Sequence, residues 1–256
     1  MKNPPKDVPA LYVEGSDDIS AIAALLRRHG YDTKRGKKHL FIAHAGDEAS
    51  DSTGSDSELF DAMSDRVKSN PPQPCGFVFD IDIETTKRWD RVKSKLQSIV
   101  NNLIDFNEPL PKTCESAAKQ GYIGHVKGYA KPFGVWLMPD CKTDGQKIEH
   151  LVQSLIPAND AIFKYALECT TVVPKLVDDS NAAIVDPHKK LKCFAEKDRI
   201  KAEVRAWLAW QEEPGQPFGA AITRRYLGHD SLQANAFLEW LSRLYGFQFP
   251  GPDPLP

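Results

Sequence analysis

The sequence predicts an α/β fold in which a mainly parallel sheet is covered by helices on both faces. Short apolar runs alternate with amphipathic segments through the N-terminal half, and glycine and proline residues separate them. Acidic residues directly follow two of the apolar runs. Alternation of this kind is typical of parallel sheets, which bind ligands beyond the carboxyl ends of their strands.

The N-terminal half follows a β-α-β-α-β-α order. Ser16 or Asp17 is expected to cap the first helix, and Pro71, Pro72 and Pro74 end the second. A loop is expected over residues 46–56 because Asp, Ser and Gly dominate there. The predicted strands are 10–13, 39–43 and 76–79. The first predicted helix follows its cap, the second spans about 57–68, and a long third helix follows Asp82.

The second half supplies one more apolar strand, 134–138, after a connection that contains a short strand near 122–126. The chain then becomes helical. We therefore expect an α/β core over residues 1–145 and a C-terminal helical extension over 146–256 that packs on it. The predicted helices of the extension are 146–156, 159–170, 197–211, 220–226 and 232–245.

The charge balance bounds the possible partners. With a formal net charge of −2 the chain has no global positive field, so a nucleic acid would have to be attracted by a local patch or by another subunit. The five cysteines show no CxxC pair and are expected to be free thiols. No apolar run approaches the ~18 residues that span a membrane, and no signal core is apparent, so we expect a cytoplasmic protein.

Four acidic side chains are predicted to meet at one edge of the sheet. Glu14 and Gly15 lie where the first strand becomes a helix, and Asp18 follows one helical turn later. Asp80 and Asp82 end the third strand, where a spacing of two lets both reach the same rim. Clustered carboxylates repel each other unless a cation neutralises them, and Mg²⁺ prefers oxygen ligands. The pattern therefore indicates a divalent-metal site.

Each part of this pattern also has an ordinary explanation when it is taken alone. Asp17 and Asp18 could simply stabilise the helix dipole, and a DxD pair is a weak motif by itself. The joint placement of the two acidic groups favours the metal site. A haloacid-dehalogenase phosphatase would require Thr or Val where Glu84 stands, and a sugar-nucleotide transferase would not explain Glu14.

Two pairs of segments resemble known families. LYVEGSDDISAI and FVFDIDIE resemble the TOPRIM fold of primases, topoisomerases and overcoming-lysogenization-defect nucleases, in which a glutamate follows strand one and DxD follows strand three. GVWLMPDCKTDGQKIEHLV and RIKAEVRAWLAWQEEPGQPFGAAI are similar to a bacterial TOPRIM-like family, DUF3226, over most of the chain. Related DUF4435 and lysogenization-defect proteins often accompany ABC-type ATPases in anti-phage systems.

The resemblance implies a nuclease that depends on Mg²⁺ or Mn²⁺ and cuts DNA or RNA. It implies that Glu14 is a general acid or base beside the metal, that Asp18 is the motif-one acid, and that Asp80 and Asp82 are metal ligands. Glu149 is expected to be an additional metal ligand. The implied partners are nucleic acid and an ABC-type or SMC-like ATPase, in an assembly that can be oligomeric and that involves no membrane.

Three further predictions concern residues outside the core motif. Asp140 is a weaker candidate ligand. Lys201 lies at the edge of an apolar helical stripe and is expected to face inward, where it would stabilise charge on a transferring phosphate, although a snorkelling surface lysine is an equal alternative. Trp207, Trp210, Phe237 and Trp240 are expected in the core rather than as base-stacking platforms. The basic run over residues 27–38 is expected to be solvated surface rather than a phosphate track.

Three functions remain open from the sequence. The leading hypothesis is a metal-dependent nuclease that serves as a defence effector. The second is an interaction module with little or no catalysis, which binds an ATPase partner or nucleic acid. The third is another phosphoryl-transfer or nucleotide-binding enzyme that uses the same acidic rim.

Overall fold

The computed structural model of the protein describes residues 5, 7–31, 40–44, 56–82, 84–100 and 104–249. It is a mixed α/β structure with a mostly parallel central sheet flanked by helices, as the sequence predicts. The strands are β1 Ala10–Val13, β2 Phe41–His44, β3 Cys75–Asp80, β4 Glu115–Ser116, β5 Lys119–Gln120, β6 Tyr122–Gly124 and β7 Phe133–Met138. The helices are α1 Ser16–Arg28, α2 Asp56–Lys68, α3 Thr85–Ile99, α4 Ile148–Ser154, α5 Ala161–Asn181, α6 Arg199–Ala209, α7 Phe218–Thr223 and α8 Leu232–Tyr245, and two short 3₁₀ turns lie at Pro187–Lys189 and Glu196–Asp198.

The main sheet has the strand order β2-β1-β3-β7-β6. The first four strands are parallel to one another, and β6 pairs with β7 as an antiparallel edge strand. β1 and β3 are therefore direct neighbours with their carboxyl ends at the same edge. This order brings the two acidic segments of the sequence together.

Aromatic side chains fill both faces of the sheet. On one face Phe79 contacts Phe60 of α2, and on the other Trp136 of β7 contacts Trp240 of α8. Gly134 leaves the space that Leu244 and Trp240 occupy, since a Cβ there would lie 2.6 Å from the nearest Leu244 carbon. The C-terminal helix α8 thus covers the strands of the α/β part directly.

Several element boundaries differ from the sequence prediction. Gly15, not Ser16 or Asp17, is the N-cap of α1. The helix predicted over 159–170 continues as α5 to Asn181, through Pro174. Asp56 is the first residue of α2 rather than part of the preceding loop. The rest of that predicted loop, His39 of the predicted second strand, and Lys34, Arg35, Lys37 and Lys38 of the basic run lie outside the described residues.

Other predictions concern exposure. Trp207 and Trp240 are buried, as predicted, whereas Trp210 is 43% exposed. Arg28 is buried and donates to the backbone oxygen of Ile222, so the prediction of solvated surface is wrong for this residue.

All five cysteines are free thiols, as the sequence predicts. Among the described helices, none combines the length and the apolar character needed to cross a membrane. The division into 1–145 and 146–256 stays a prediction.

The contact between α1 and α7 yields a stability test. Gly219 of α7 lies so close to α1 that an added Cβ would be 2.3 Å from the backbone oxygen of Ser20. Helix propensity alone would make Gly219→Ala stabilising by up to about 1 kcal/mol. Because a backbone oxygen cannot move aside, we expect Gly219→Ala to lower the free energy of unfolding by about 1–3 kcal/mol in urea denaturation. Ala220→Gly, the control, should cost no more than about 1 kcal/mol; a Gly219→Ala protein as stable as wild type would contradict the packing.

A candidate acidic metal site at the ends of β1 and β3

Glu14 connects the two central strands at the edge of the sheet. It follows β1 directly, and its Oε1 accepts a hydrogen bond of 2.9 Å from the backbone N–H of Asp80, the last residue of β3. The parallel pairing of β1 with β3 makes this contact possible. The carboxyl group of Glu14 is thereby fixed beside that of Asp80.

Asp18 is held in the first turn of α1. Its Oδ2 accepts a 2.7 Å hydrogen bond from the backbone N–H of Gly15, and the side chain is buried. A Cβ on Gly15 would lie 3.3 Å from the same oxygen, so the glycine lets the carboxylate fold back over the start of the helix. The negative charge at this helix N-terminus also interacts favourably with the helix dipole.

The end of β3 is tied to the segment before α4. The backbone N–H groups of Ile81 and Asp82 both donate to the Gln146 carbonyl, at 3.0 and 3.2 Å. In return, Oδ1 of Asp80 accepts a 3.0 Å hydrogen bond from the N–H of Ile148. These bonds place buried Glu149 next to the acids of β1 and β3.

Asp82 differs from the other acids because two cations hold it. It adopts a φ of 60°, in the left-handed region that Asp tolerates better than most residues. Its carboxylate pairs with the Arg88 guanidinium and lies 3.2 Å from Nζ of Lys147. Arg88 is buried and also pairs with Asp56. Asp82 thus reaches the rim, but its oxygens are occupied by protein cations.

Glu14, Asp18, Asp80, Asp82 and Glu149 line one cavity of about 400 Å³, which we call the acidic cavity. Every catalytic or metal-binding residue predicted from the sequence borders it, except Asp140. Its charged lining residues are Glu14, Asp17, Asp18, Asp80, Asp82, Glu149, Asp198, Lys147, Lys197 and Lys201.

Two candidates from outside the core motif occupy different environments. Lys201 is exposed, with 55% of its side chain accessible, so the expectation that it faces inward is wrong. Its Nζ nevertheless lies 3.9 Å from Glu149 at the cavity mouth. Asp140 does not line the cavity: its carboxylate accepts hydrogen bonds from the N–H groups of Lys142 and Thr143 and stabilises the turn after β7.

The electrostatic environment raises the pKa of the inner acids. Burial raises the pKa of Glu14 to about 7, against the opposing effect of its hydrogen bond from Asp80. Burial raises the pKa of Asp18 to about 7 as well, and the charges of Glu14 and Glu149 add to the rise. The pKa of Asp80 is raised well above its ordinary value by burial, and then by Asp18 and Glu14. Removing water from like charges has this effect unless a cation is added.

The donor chemistry of the cavity fits a hard divalent cation. Carboxylate oxygens are its preferred ligands, and mutual repulsion among the acids would be relieved by its charge. In the part of the chain that the structure describes, however, no three His, Cys, Asp or Glu side chains are arranged to hold a metal as they stand. Glu14 is turned toward the Asp80 N–H and Asp82 toward Arg88 and Lys147. Coordination would therefore require side-chain rotation.

Three basic residues of the site were missed by the sequence analysis. Lys147 and Lys197 line the cavity, and Arg88 holds Asp82 from α3. Only Lys147 could have been found from the sequence, because it lies two residues before Glu149. No local pattern indicates Arg88, because it lies on an amphipathic helix whose apolar stripe gives no sign of a buried ion pair.

A family model described as "Protein of unknown function (DUF3226)" matches residues 8–246. The chain belongs to the DUF3226 family. The match covers both the acidic segments at β1 and β3 and the C-terminal helices. No curated protein and no solved structure matches this DUF3226 chain.

The raised pKa values predict how the free energy of unfolding depends on pH when a chelator keeps the protein free of metal. In the folded protein Glu14 and Asp18 hold their protons up to about pH 7, whereas in the unfolded protein they lose them at ordinary acidic pKa values. The folded state therefore binds more protons, and stability falls as pH rises from about 5 through 7. Asp80→Asn keeps an oxygen for the Ile148 N–H but removes a repelling charge.

We expect Asp80→Asn to be more stable than wild type by about 1–3 kcal/mol at pH 8, and by less at pH 5.5, in urea denaturation with EDTA. Exposed Asp178→Asn is the control and should match wild type at both pH values. Comparison at each pH cancels the titration of histidines elsewhere. A destabilised Asp80→Asn protein at pH 8 would contradict the repulsion.

Proposed function

We propose that the protein is a metal-dependent phosphodiester hydrolase, a nuclease with a TOPRIM-like site that uses Mg²⁺ or Mn²⁺. The observation that carries the proposal is the grouping of Glu14, Asp18, Asp80 and Glu149 in one partly enclosed cavity where burial and like charges raise pKa values. Such a grouping is costly for a purely structural role, and a bound cation would offset the cost.

Each side of the acidic cavity would have a separate task. Asp80 and Glu149, with Glu14 and Asp82 after rotation, would hold the metal. The metal, when bound, would lower the pKa of a water ligand and neutralise charge on the phosphate. Glu14, with a pKa of about 7, is suited to exchange a proton near neutral pH. Asp18 would act beside Glu14 as a second acid, and the hydrogen bond from the Gly15 N–H fixes its position.

The lysines at the mouth would oppose repulsion of a polyanion by the acids. Lys147, Lys197 and Lys201 border the cavity on the side of α4 and α6. A lysine acts as a compact point charge toward a phosphate. Because the overall charge is −2, we propose that binding of DNA or RNA also depends on a partner, such as an ABC-type ATPase. By analogy with the related families, we propose that the protein acts in the cytoplasm as an anti-phage defence effector.

A second candidate function is an interaction module with little or no catalysis, which binds an ATPase partner or nucleic acid. The observation that favours it is the capture of Asp82 by Arg88 and Lys147. Those two protein cations already neutralise part of the acidic rim, as a metal would in a catalytic site. Activity measurements separate the two candidates.

Substitution of Glu14 tests the nuclease proposal. Glu14→Gln retains an oxygen that can accept the Asp80 N–H, so the fold should persist, but the carboxylate is lost. We expect cleavage of plasmid DNA or total RNA with Mg²⁺ or Mn²⁺ to fall by at least about 100-fold, measured with and without the co-expressed product of the neighbouring gene. Asp18→Asn should have a milder effect.

The control for this assay is Glu212→Gln, on the exposed surface away from the cavity, which should retain wild-type activity. Full activity of Glu14→Gln at equal thermal stability would refute the assignment of this residue. If the wild-type protein cleaves neither substrate under any of these conditions, the interaction-module alternative replaces the nuclease.

A further inference from the structure

Helix α5 carries more exposed apolar surface than a solvated helix should. Of its 21 residues, which are all described, only Ala166 and Thr170 are buried, although the helix contains many aliphatic and aromatic residues. Apolar side chains stand out from one side of it, with accessibilities of 42–58%. We call five of its residues the α5 stripe: Ile162, Tyr165, Cys169, Val172 and Leu176.

The α5 stripe has the spacing of a helix–helix seam. Its members are separated by three, four, three and four residues, the a and d positions of a heptad repeat. Ala166 and Thr170 lie roughly 100° further around the helix, which packs against α6. The stripe is therefore a second apolar side, in addition to the one that belongs to the core. Trp210, 43% exposed, packs against the Tyr165 ring and widens the stripe.

We propose that the α5 stripe is a homodimer interface, in which α5 packs antiparallel against α5 of a second copy of this chain. In this arrangement Cys169 of each copy lies beside Val172 of the other, and Tyr165 lies beside Leu176. The seam closes on itself about a twofold axis near residues 170 and 171, as a symmetric interface between identical chains must. The proposal does not depend on the nuclease function.

The charges beside the stripe favour a second copy in the antiparallel orientation. Glu168 and Lys175 lie on the edge of the stripe that faces away from α6, at g positions of the heptad. An antiparallel pair brings Glu168 of each copy near Lys175 of the other, giving two ion pairs. A parallel pair would put Val173 and Ser180 opposite them and form none. Lys175 now pairs with Asp179 in its own helix, an exposed contact that is easily exchanged.

The size of the stripe sets the expected strength of the dimer. The helix is about 30 Å long, and five side chains with Trp210 cover less than the ~800 Å² per partner of a standard stable interface. We therefore expect a reversible dimer whose population depends on concentration, rather than an obligate one. Both α6 helices, which carry Lys201 of the acidic cavity, would flank the seam.

Sedimentation velocity of the full chain from about 1 μM to about 1 mM tests the proposal, because weak dimers dissociate in this range. Wild type should shift from monomer to dimer. Val172→Glu and Leu176→Glu should raise the dimer dissociation constant by at least about tenfold, since a charge would be buried in the seam. Exposed Thr171→Glu, outside the stripe, is the matched control and should dimerise like wild type. All four proteins should have equal thermal stability.

Charge reversal tests the orientation. Glu168→Lys and Lys175→Glu should each weaken the dimer, and the double variant should restore it, because only the antiparallel pairing joins these two residues. Val172→Cys in a Cys193→Ser background should form a disulfide with Cys169 of the other copy when diamide oxidises the two thiols. A chain that stays monomeric at every concentration, or a dimer that Val172→Glu leaves intact, overturns the proposal and leaves the stripe to a different partner.

Discussion

The architecture of this protein depends on keeping several like charges together at one edge of a parallel sheet. Because β1 and β3 are neighbours, Glu14 and Asp80 must share that edge. The carboxylate of Glu14 accepts a hydrogen bond from the backbone N–H of Asp80 there. Every unit of pKa shift corresponds to about 1.4 kcal/mol, so the acids lower stability above neutral pH. The aromatic core on both faces of the sheet must offset this cost.

The surroundings of the acids limit the repulsion in two ways. Backbone N–H groups of Gly15 and Ile148 donate to Asp18 and Asp80, which stabilises the charged carboxylates without any counterion. Arg88 and Lys147 neutralise the outermost acid, Asp82. Within the described residues, Glu14, Asp18 and Asp80 form no ion pair, although the charge of Arg88 partly opposes the rise in the pKa of Glu14. A cation that enters the cavity would therefore compete with Arg88 and Lys147 for Asp82 and with the Asp80 N–H for Glu14, and the cavity would rearrange on binding.

The sequence predicted the α/β class and the convergence of the acidic segments because strand alternation and chain order determine them. β1 and α8 were predicted to the residue. Glu149 lines the same cavity as the core acids, and its role as a metal ligand stays a prediction. Three features were not predictable. The inward direction expected for Lys201 was wrong because stripe edges do not determine where a long side chain turns. The burial of Arg88 depends on a tertiary ion pair that its own helix does not reveal. Helix α5 extends beyond the predicted 159–170 and continues through Pro174.

Binding of a divalent cation in the acidic cavity is tested most directly by Mn²⁺ titration with isothermal calorimetry at pH 7.5. Wild type should give saturable binding heat, and an Asp80→Asn, Asp82→Asn double variant that keeps its thermal stability should give none, since two of the oxygen ligands lose their charge. The Asp178→Asn protein should bind like wild type. The same heat from wild type and the double variant, or no heat from either, would contradict the account.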